Sequence, residues 1–268
     1  MSIGNHDVLL FDLDGVVYIG PSVVPGARES ILSALEQGAR CVFVTNNASR
    51  TATEVSAHLR ELGIPAKTED VITSSMAGAS LVASFVESGD VLAIGGPGVG
   101  EALHERGFNP VSKYSDTVIA VMQGYGANVG WADLAEATFA VRAGLPWVAT
   151  NLDSTFPSPR GIAPGNGALV NVVAETAGRR PDAIAGKPEP ALLLEAISRT
   201  GAKRPLMIGD RLDTDIAAGS RLSISTLLVG TGVSTLEEGR SAIGEERPTY
   251  ISADLTCLLP NRAWDEVA

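Results

Sequence analysis

Cysteine is scarce in this sequence, since 268 residues include only Cys41 and Cys257. Two cysteines do not provide the disulfide framework on which small secreted domains depend, and so low a number fits a reducing compartment. Cys41 lies inside the apolar run 40–44, which is typical of a buried, reduced thiol. With 45% hydrophobic residues, the chain can form a sizeable core without covalent cross-links.

Positive charge is also lacking. The chain has 31 acidic and 20 basic residues, which gives a formal net charge of −11. A general nucleic-acid-binding protein is normally basic, so this composition argues against that class. An acidic chain can still bind an anion, but only through a local cluster of donors or through a metal ion.

Long apolar runs are missing as well. No stretch approaches the roughly 20 residues that a membrane-spanning helix needs, and residues 1–5 lack the basic and apolar segments of a secretory signal peptide. We therefore expect a cytoplasmic protein that binds neither membranes nor nucleic acid.

Strand-like apolar runs alternate with helix-like periods along nearly the whole chain. This alternation predicts an α/β fold in which a mainly parallel sheet is covered by helices. We predict a Rossmann-like parallel-sheet core at 1–76 and 184–268, with an inserted α/β domain at 77–183. Trp131 and Trp147 occupy apolar helix and strand positions of the insert, where we expect both in its core.

Four short polar segments each follow the end of a predicted strand. In open parallel sheets the carboxyl ends of the strands are where ligands bind, so four such segments favour a single site. Together they contain carboxylates, a hydroxyl, amides and one ammonium. The segments are 12–15, 45–47, 186–188 and 209–215.

A phosphate group and a hard cation would suit this set of side chains. Mg²⁺ takes oxygen ligands, typically one or two carboxylates with substrate phosphate, and Asp12 and Asp210 can supply the carboxylates. Lys187 and Thr45 can hold phosphate oxygens. Once its charge is neutralised, a carboxylate can attack phosphorus. Asp14 could then protonate the leaving oxygen and activate water, and its acidic neighbours would raise its pKa as a proton donor requires.

In this order, the segments resemble the motifs of the haloacid dehalogenase (HAD)-like hydrolase superfamily. Residues 12–18 resemble the first motif, Thr45 the second, Lys187 the third, and Asp210 with Asp215 the fourth. Within the superfamily the chain is similar to subfamily IIA, which includes NagD-like proteins, p-nitrophenyl phosphatases and phosphoglycolate phosphatases. That similarity covers essentially the whole chain and rests on the segments 44–50, 149–151, 164–167, 186–188 and 208–216.

The resemblance implies roles for the acidic residues of the segments 12–15 and 209–215. It implies Asp12 as the nucleophile and Asp14 as the general acid/base. Mg²⁺ would be held by Asp12, the backbone carbonyl of Asp14, and Asp210. Asp215 would orient the site or pair with the third-motif lysine, and Asp213 would have a water-mediated role.

The resemblance further implies that Thr45, Asn46 and Lys187 bind the transferring phosphoryl group. The insert would be a C2-type cap that selects the substrate. Asp153 and Arg160 lie in the expected substrate loop 151–160 and are candidate specificity residues. Arg50 is a third candidate because it lies beside the phosphate-binding segment, although it could also be an ordinary helix-start residue. A homodimer formed through the cap is also expected.

These inferences predict a Mg²⁺-dependent phosphatase that hydrolyses a small phosphorylated metabolite through an aspartyl-phosphate. Glycerol phosphate, phosphoglycolate, a sugar phosphate and a nucleoside monophosphate are all candidate substrates, with p-nitrophenyl phosphate as an artificial one. Two alternatives stay open at this point. One is a phosphotransferase or mutase that uses the same aspartyl-phosphate, and the other is a non-catalytic sensor of a phosphorylated metabolite.

Overall fold

The computed structural model describes residues 3–158, 160–262 and 264–267. Its strands, numbered in chain order, are β1 (Val8–Phe11), β2 (Tyr18–Ile19), β3 (Ser22–Val23), β4 (Arg40–Thr45), β5 (Val71–Thr73), β6 (Asp90–Ile94), β7 (Asn109–Val111), β8 (Val118–Gln123), β9 (Trp147–Ala149), β10 (Thr155–Ser158), β11 (Gly161–Pro164), β12 (Ala183–Ile184), β13 (Pro205–Gly209), β14 (Ser225–Val229), β15 (Tyr250–Ser252) and β16 (Asp265–Glu266).

The α-helices alternate with these strands. They are α1 (Ala27–Glu36), α2 (Ala52–Glu61), α3 (Ser74–Phe85), α4 (Pro97–Glu105), α5 (Trp131–Arg142), α6 (Asn166–Ala177), α7 (Ala191–Thr200), α8 (Ala217–Arg221) and α9 (Leu236–Ser241). A π-type turn over Leu212–Ile216 leads into α8. Among the described residues, no helix combines the length and the apolar character needed to cross a membrane.

The chain divides into two compact units. The first comprises Met1–Thr45, Thr53–Ile72 and Lys187–Ala268, and the second comprises Asn46–Ala52 and Thr73–Gly186. The chain therefore passes between the units directly after Thr45 and directly before Lys187, both of which were predicted as site residues. The predicted core (1–76 and 184–268) and cap (77–183) did not assign residues 46–52 to the insert, and the cap role itself stays a prediction.

The first unit is built on a sheet with strand order β16-β15-β14-β13-β1-β4-β5. Strand β1 lies between β13 and β4 and is parallel to both. All four residues of β1 are buried, as expected for a parallel strand covered on both faces. In this register Phe11 pairs with Ile208 and with Phe43, so the residues that follow these three strands leave the sheet at one edge.

The second unit has its own parallel sheet, with strand order β12-β9-β8-β6-β7. A small antiparallel hairpin, β10–β11, belongs to the same unit. The segment Asn46–Ala52 is fixed to it through Ala48, which is buried in a cluster with Val99 and Met122. The predicted α/β fold class is confirmed by this architecture.

The two tryptophans predicted in the core of the insert differ in burial. Trp147 on β9 is 0% exposed, as predicted, whereas Trp131 is 84% exposed, so that part of the prediction was wrong. Trp131 is the first residue of α5, and the helix buries the face that carries Ala137, Ala140 and Val141 instead. Hydrophobicity alone does not show which face of a helix meets the core at its first turn.

Candidate active site

Asp12 directly follows β1 at the carboxyl edge of the first sheet. Its backbone N–H donates to the carbonyl of Ile208 at 2.9 Å, which continues the pairing with β13 and fixes the residue next to that strand. The residue is 9% exposed. Its Oδ1 lies 2.5 Å from Nζ of Lys187, so the buried carboxylate has a buried cationic partner.

Lys187 supplies the positive charge of the cluster. It is 3% exposed, and its Nζ lies 2.7 Å from Oδ1 of Asp215 as well as close to Asp12. Burial alone would lower the pKa of Lys187, but the two carboxylates outweigh it and raise the pKa above its ordinary value. The side chain therefore stays a cation at physiological pH and bridges two acids.

Asp215 lies in the π-type turn after β13. Its Oδ2 accepts hydrogen bonds from the backbone N–H groups of Asp210 and Arg211 at 3.2 and 3.1 Å. A Cβ on Gly209 would overlap the Asp215 side chain, so only glycine allows this approach. Asp215 thus shapes the loop that carries Asp210 while it pairs with Lys187.

Asp210 has two differently used oxygens. Its Oδ2 accepts from the backbone N–H of Val233 at 2.7 Å. Its Oδ1 is buried, and the described part of the chain offers it no hydrogen-bond partner. A buried carboxylate oxygen without a donor is costly unless a cation binds it.

The three carboxylates form a group that fits a divalent cation. One oxygen from each of Asp12, Asp210 and Asp215 lies within 4.8 Å of the others. With Lys187, the four charges sum to −2, which a divalent ion would balance. Burial raises the pKa of Asp12, and burial with the adjacent Asp215 raises the pKa of Asp210 to about 6. Hard oxygen donors of this kind are the ligands that Mg²⁺ prefers.

Asp14 and Thr45 occupy the same edge of the first sheet. Asp14 is exposed, and the turn that carries it is closed by a hydrogen bond from Gly15 N–H to the carbonyl of Tyr18 at 2.9 Å. Gly15 has φ +85°, which favours glycine at this position. Thr45 is buried as the last residue of β4.

Asp213 lies outside the carboxylate cluster. It is exposed, and Arg211 donates to it through Nε at 3.0 Å and Nη2 at 2.8 Å. This hydrogen-bonded ion pair lowers the pKa of Asp213 below its ordinary value. The water-mediated role of Asp213 stays a prediction.

Sequence reasoning missed the loop that follows β14. Residues 230–234 carry the Val233 N–H that holds Asp210, and Thr231 Oγ1 donates to the carbonyl of Gly15 at 2.6 Å. The sequence signal was available, since Gly230 and Gly232 flank Thr231 directly after a predicted strand. No charged side chain marks the segment, however, and its contacts are made by backbone groups and two hydroxyls, those of Thr231 and Ser234.

The remaining predicted residues belong to the second unit. Asn46 donates through Nδ2 to Oδ2 of Asp153 at 3.2 Å, so these two are in contact. Arg50 is half-buried near the start of α2, and Arg160 is exposed in the turn between β10 and β11. Asn151 belongs to the motif segment 149–151, but no role was predicted for its side chain, whose Nδ2 donates to the carbonyl of Asn46 at 2.8 Å.

Comparison with known proteins places this site in a family. Residues 9–109 match the family model described as haloacid dehalogenase-like hydrolase, and residues 184–258 match a HAD-hydrolase-like model. The chain is 44% identical to D-glycerol 3-phosphate phosphatase of Mycobacterium tuberculosis, over 95% of this chain and 71% of the relative. It is 38% identical to the acid sugar phosphatase of Staphylococcus aureus, over 94% of this chain and 96% of the relative.

Solved structures give the same result. The glycerol phosphate phosphatase of M. tuberculosis in complex with magnesium superposes with a TM-score of 0.91 at 44% identity, covering 96% of this chain and 78% of that one. The p-nitrophenyl phosphatase of Archaeoglobus fulgidus gives 0.84 at 27% identity, covering 93% and 97%.

The chain belongs to the haloacid dehalogenase-like hydrolases. The predicted family and fold are thereby confirmed, as is the prediction of a phosphomonoester hydrolase for a small metabolite with Mg²⁺ as the cofactor.

Proposed function

We propose that the protein hydrolyses a small phosphomonoester by covalent catalysis on Asp12, with Mg²⁺ as the cofactor. The observation that carries the proposal is the buried arrangement in which Lys187 bridges Asp12 and Asp215, next to the Asp210 oxygen that has no hydrogen-bond partner among the described residues. Such a set can bind an anion and a divalent ion together, because its own charge is negative and its cation is fixed.

The chemistry divides into two displacements at phosphorus. A carboxylate oxygen of Asp12 forms a bond to phosphorus while the bond to the leaving oxygen breaks, and Asp14 gives that oxygen its proton. In the second step Asp14 takes a proton from water, the water oxygen attacks phosphorus, and the Asp12 carboxylate leaves. The exposure of Asp14 and the burial of Asp12 suit these roles, since Asp14 must reach both the leaving oxygen and the attacking water, while Asp12 stays beside Lys187.

Asp12, Asp210 and the backbone carbonyl of Asp14 would hold the ion. Bound there, Mg²⁺ would neutralise charge on the phosphoryl oxygens and on the attacking carboxylate. Asp215 keeps Lys187 in place and shapes the Asp210 loop through two backbone hydrogen bonds. Lys187 and Thr45 would hold phosphoryl oxygens, with the Asn46 amide as a further donor.

For the substrate, we infer glycerol phosphate as the leading candidate and a sugar phosphate as the second. The support is the 44% identity to a D-glycerol 3-phosphate phosphatase and the 38% identity to an acid sugar phosphatase. The second unit would act as the cap, with Arg50, Asp153 and Arg160 selecting the leaving group. Asp153 already accepts a hydrogen bond from Asn46, so it would act partly by orienting that amide.

A panel of phosphate esters tests the function. The kcat/KM of the purified protein would be measured for both enantiomers of glycerol 3-phosphate, phosphoglycolate, sugar phosphates, nucleoside monophosphates and p-nitrophenyl phosphate, with Mg²⁺ and with EDTA. We expect Mg²⁺-dependent release of phosphate, highest for a glycerol phosphate. Phosphate transfer to an added sugar in place of water would favour a phosphotransferase, and no turnover across the panel would favour a sensor.

We also propose that the protein forms a homodimer through its second unit. Trp131 and Phe139 are both exposed and are eight residues apart on α5, so they share one face of the helix. Exposed aromatic residues on one face are typical of protein interfaces. Light scattering of the wild-type protein and of Trp131→Glu tests this, because a dimer should become a monomer in the variant.

A further inference from the structure

The loop 230–234 meets the two segments that carry the candidate metal ligands. It follows β14, whose parallel neighbour in the sheet is β13, so it leaves the same edge as Asp210. It also reaches the turn after β1, because Thr231 Oγ1 donates to the carbonyl of Gly15 at 2.6 Å. A single loop thus touches two segments that are about two hundred residues apart in sequence.

The loop fixes Asp210 through its backbone. Val233 N–H donates to Oδ2 at 2.7 Å, and Ser234 N–H donates to the Asp210 carbonyl at 2.9 Å. Ser234 Oγ in turn accepts from Leu212 N–H at 3.1 Å, which holds the next part of the Asp210 loop. With Oδ2 engaged, Oδ1 is the oxygen that Asp210 presents to an ion.

Two glycines allow these segments to approach so closely. A Cβ on Gly232 would overlap the Asp210 carboxylate, and a Cβ on Gly15 would lie 2.7 Å from its Oδ2. The carboxylate is therefore enclosed between the turn after β1 and the loop after β14. The Thr231 side chain connects these two segments through its hydrogen bond to Gly15.

We propose that Thr231 is a positioning residue for the metal site, which it orders by tying the Asp14–Gly15 turn to the loop that holds Asp210. The Gly15 carbonyl belongs to the residue after Asp14, so the Thr231 hydrogen bond sets the orientation of the turn that offers the Asp14 carbonyl and carboxyl groups. Groups that hold the ligands of a metal in place typically change its affinity or the activity 10–100-fold when they are lost. This inference rests on the proposed function.

Three variants distinguish the effect of the Thr231–Gly15 hydrogen bond from the effect of side-chain packing at Thr231. Thr231→Val removes the hydroxyl and keeps the shape, whereas Thr231→Ser keeps the hydroxyl. Thr200→Val is the matched control, because Thr200 is also half-buried in the first unit and its Oγ1 donates to the carbonyl of Ala196 at 2.7 Å. Thr200 ends α7, just before the amino end of β13, and so belongs to the opposite edge of the sheet.

Mg²⁺ binding to the metal-free proteins would be measured by calorimetry, together with kcat and the Mg²⁺ concentration for half-maximal hydrolysis of p-nitrophenyl phosphate. We expect Thr231→Val to bind Mg²⁺ about 10-fold more weakly, with Thr231→Ser and Thr200→Val close to the wild type. Melting temperatures without Mg²⁺ should agree among the variants, because Thr231 and Thr200 are both only half-buried.

Equal Mg²⁺ affinity of Thr231→Val and the wild type would overturn the inference, as would equal weakening in Thr231→Val and Thr231→Ser. Failure of the proposed function would look different. In that case the wild type would bind Mg²⁺ without hydrolysing any ester, and the comparison of affinities could still be made. A wild type that binds no Mg²⁺ would overturn both.

Discussion

The two sheets of this protein share an architecture and differ in the chemistry of their carboxyl edges. Each sheet has one topological switch point, where successive strands are added on opposite sides. It lies between β1 and β13 in the first sheet and between β6 and β8 in the second. Parallel sheets bind ligands at such points. At the first edge lie three carboxylates and a lysine. At the second edge, which we call the uncharged edge, the buried polar side chains are uncharged, namely Gln123, Thr150, Asn151 and Asn166.

At the uncharged edge, side-chain amides donate hydrogen bonds to backbone carbonyls of the same unit. Asn151 donates to the carbonyl of Asn46, and Asn166 donates to the carbonyls of Asn151 and Gln123 at 2.8 and 3.3 Å. Ser74 Oγ adds a second donor to the Asn46 carbonyl at 2.6 Å. Topology therefore sets the position of a switch point, while the side chains at the strand ends decide whether it binds an ion or the protein's own chain.

The largest expected effect is at the charged edge. Asp12→Asn keeps the shape of the side chain and removes the nucleophile, so turnover of p-nitrophenyl phosphate should fall about a thousandfold or more. Steady-state kinetics with saturating Mg²⁺ measures it. Asp116→Asn, at an exposed position of the second unit, is the control that should stay active. Wild-type turnover in Asp12→Asn would show that Asp12 is not the nucleophile and that the charged edge does not carry the reaction.

The next effect concerns stability. Lys187→Met leaves the Asp12 and Asp215 carboxylates buried without their cation, and breaking such a pair costs about 3–5 kcal/mol. Urea unfolding in Mg²⁺-free buffer measures it, with the exposed Lys203→Met as the control. Because a carboxyl can take up a proton and lose its charge, the cost should shrink as the pH is lowered. A loss of stability that grows with acidity would contradict this account.

A smaller effect is expected at the uncharged edge. Asn151→Ala removes one of the two donors to the Asn46 carbonyl and the side-chain acceptor of the Asp153 N–H, and it should lower the free energy of unfolding by about 1–3 kcal/mol. The exposed Asn171→Ala is the matched control. Calorimetry should show unchanged Mg²⁺ affinity, because Asn151 lies in the second unit and the carboxylates lie in the first. Loss of Mg²⁺ binding in this variant would show that the uncharged edge contributes to the metal site.

The smallest expected effect is alkylation of the two cysteine thiols, which should be very slow in the native protein. Burial, with Asp70 adding to it, raises the pKa of Cys41 to about 12, and burial raises that of Cys257 to about 11. Both thiols therefore stay protonated well above neutral pH and react slowly in the native state. Both belong to the first unit, so alkylation followed by mass spectrometry reports on the opening of that unit alone. Rapid native labelling of either thiol would contradict the burial.

The sequence reveals the parts of this fold that depend on local pattern. Buried runs such as 8–11 and 205–209 identify strands, and the acids that follow them show where polar chemistry is concentrated. The burial of Trp131 was wrongly predicted because the exposed face of a helix depends on its neighbours in space. Thr231 was overlooked for a similar reason, since its partner Gly15 is brought near only when the sheet forms. The division at Asn46–Ala52 likewise depends on tertiary contacts of Ala48.

The most direct test of the central claim is to locate the phosphoryl group during turnover. The enzyme would be mixed with p-nitrophenyl phosphate and Mg²⁺, quenched in acid within the steady state, and digested for mass spectrometry. We expect a phosphorylated peptide that contains Asp12, modified at that residue and absent from Asp12→Asn. Hydrolysis at the normal rate with the phosphoryl group on another residue, or on none, would contradict it.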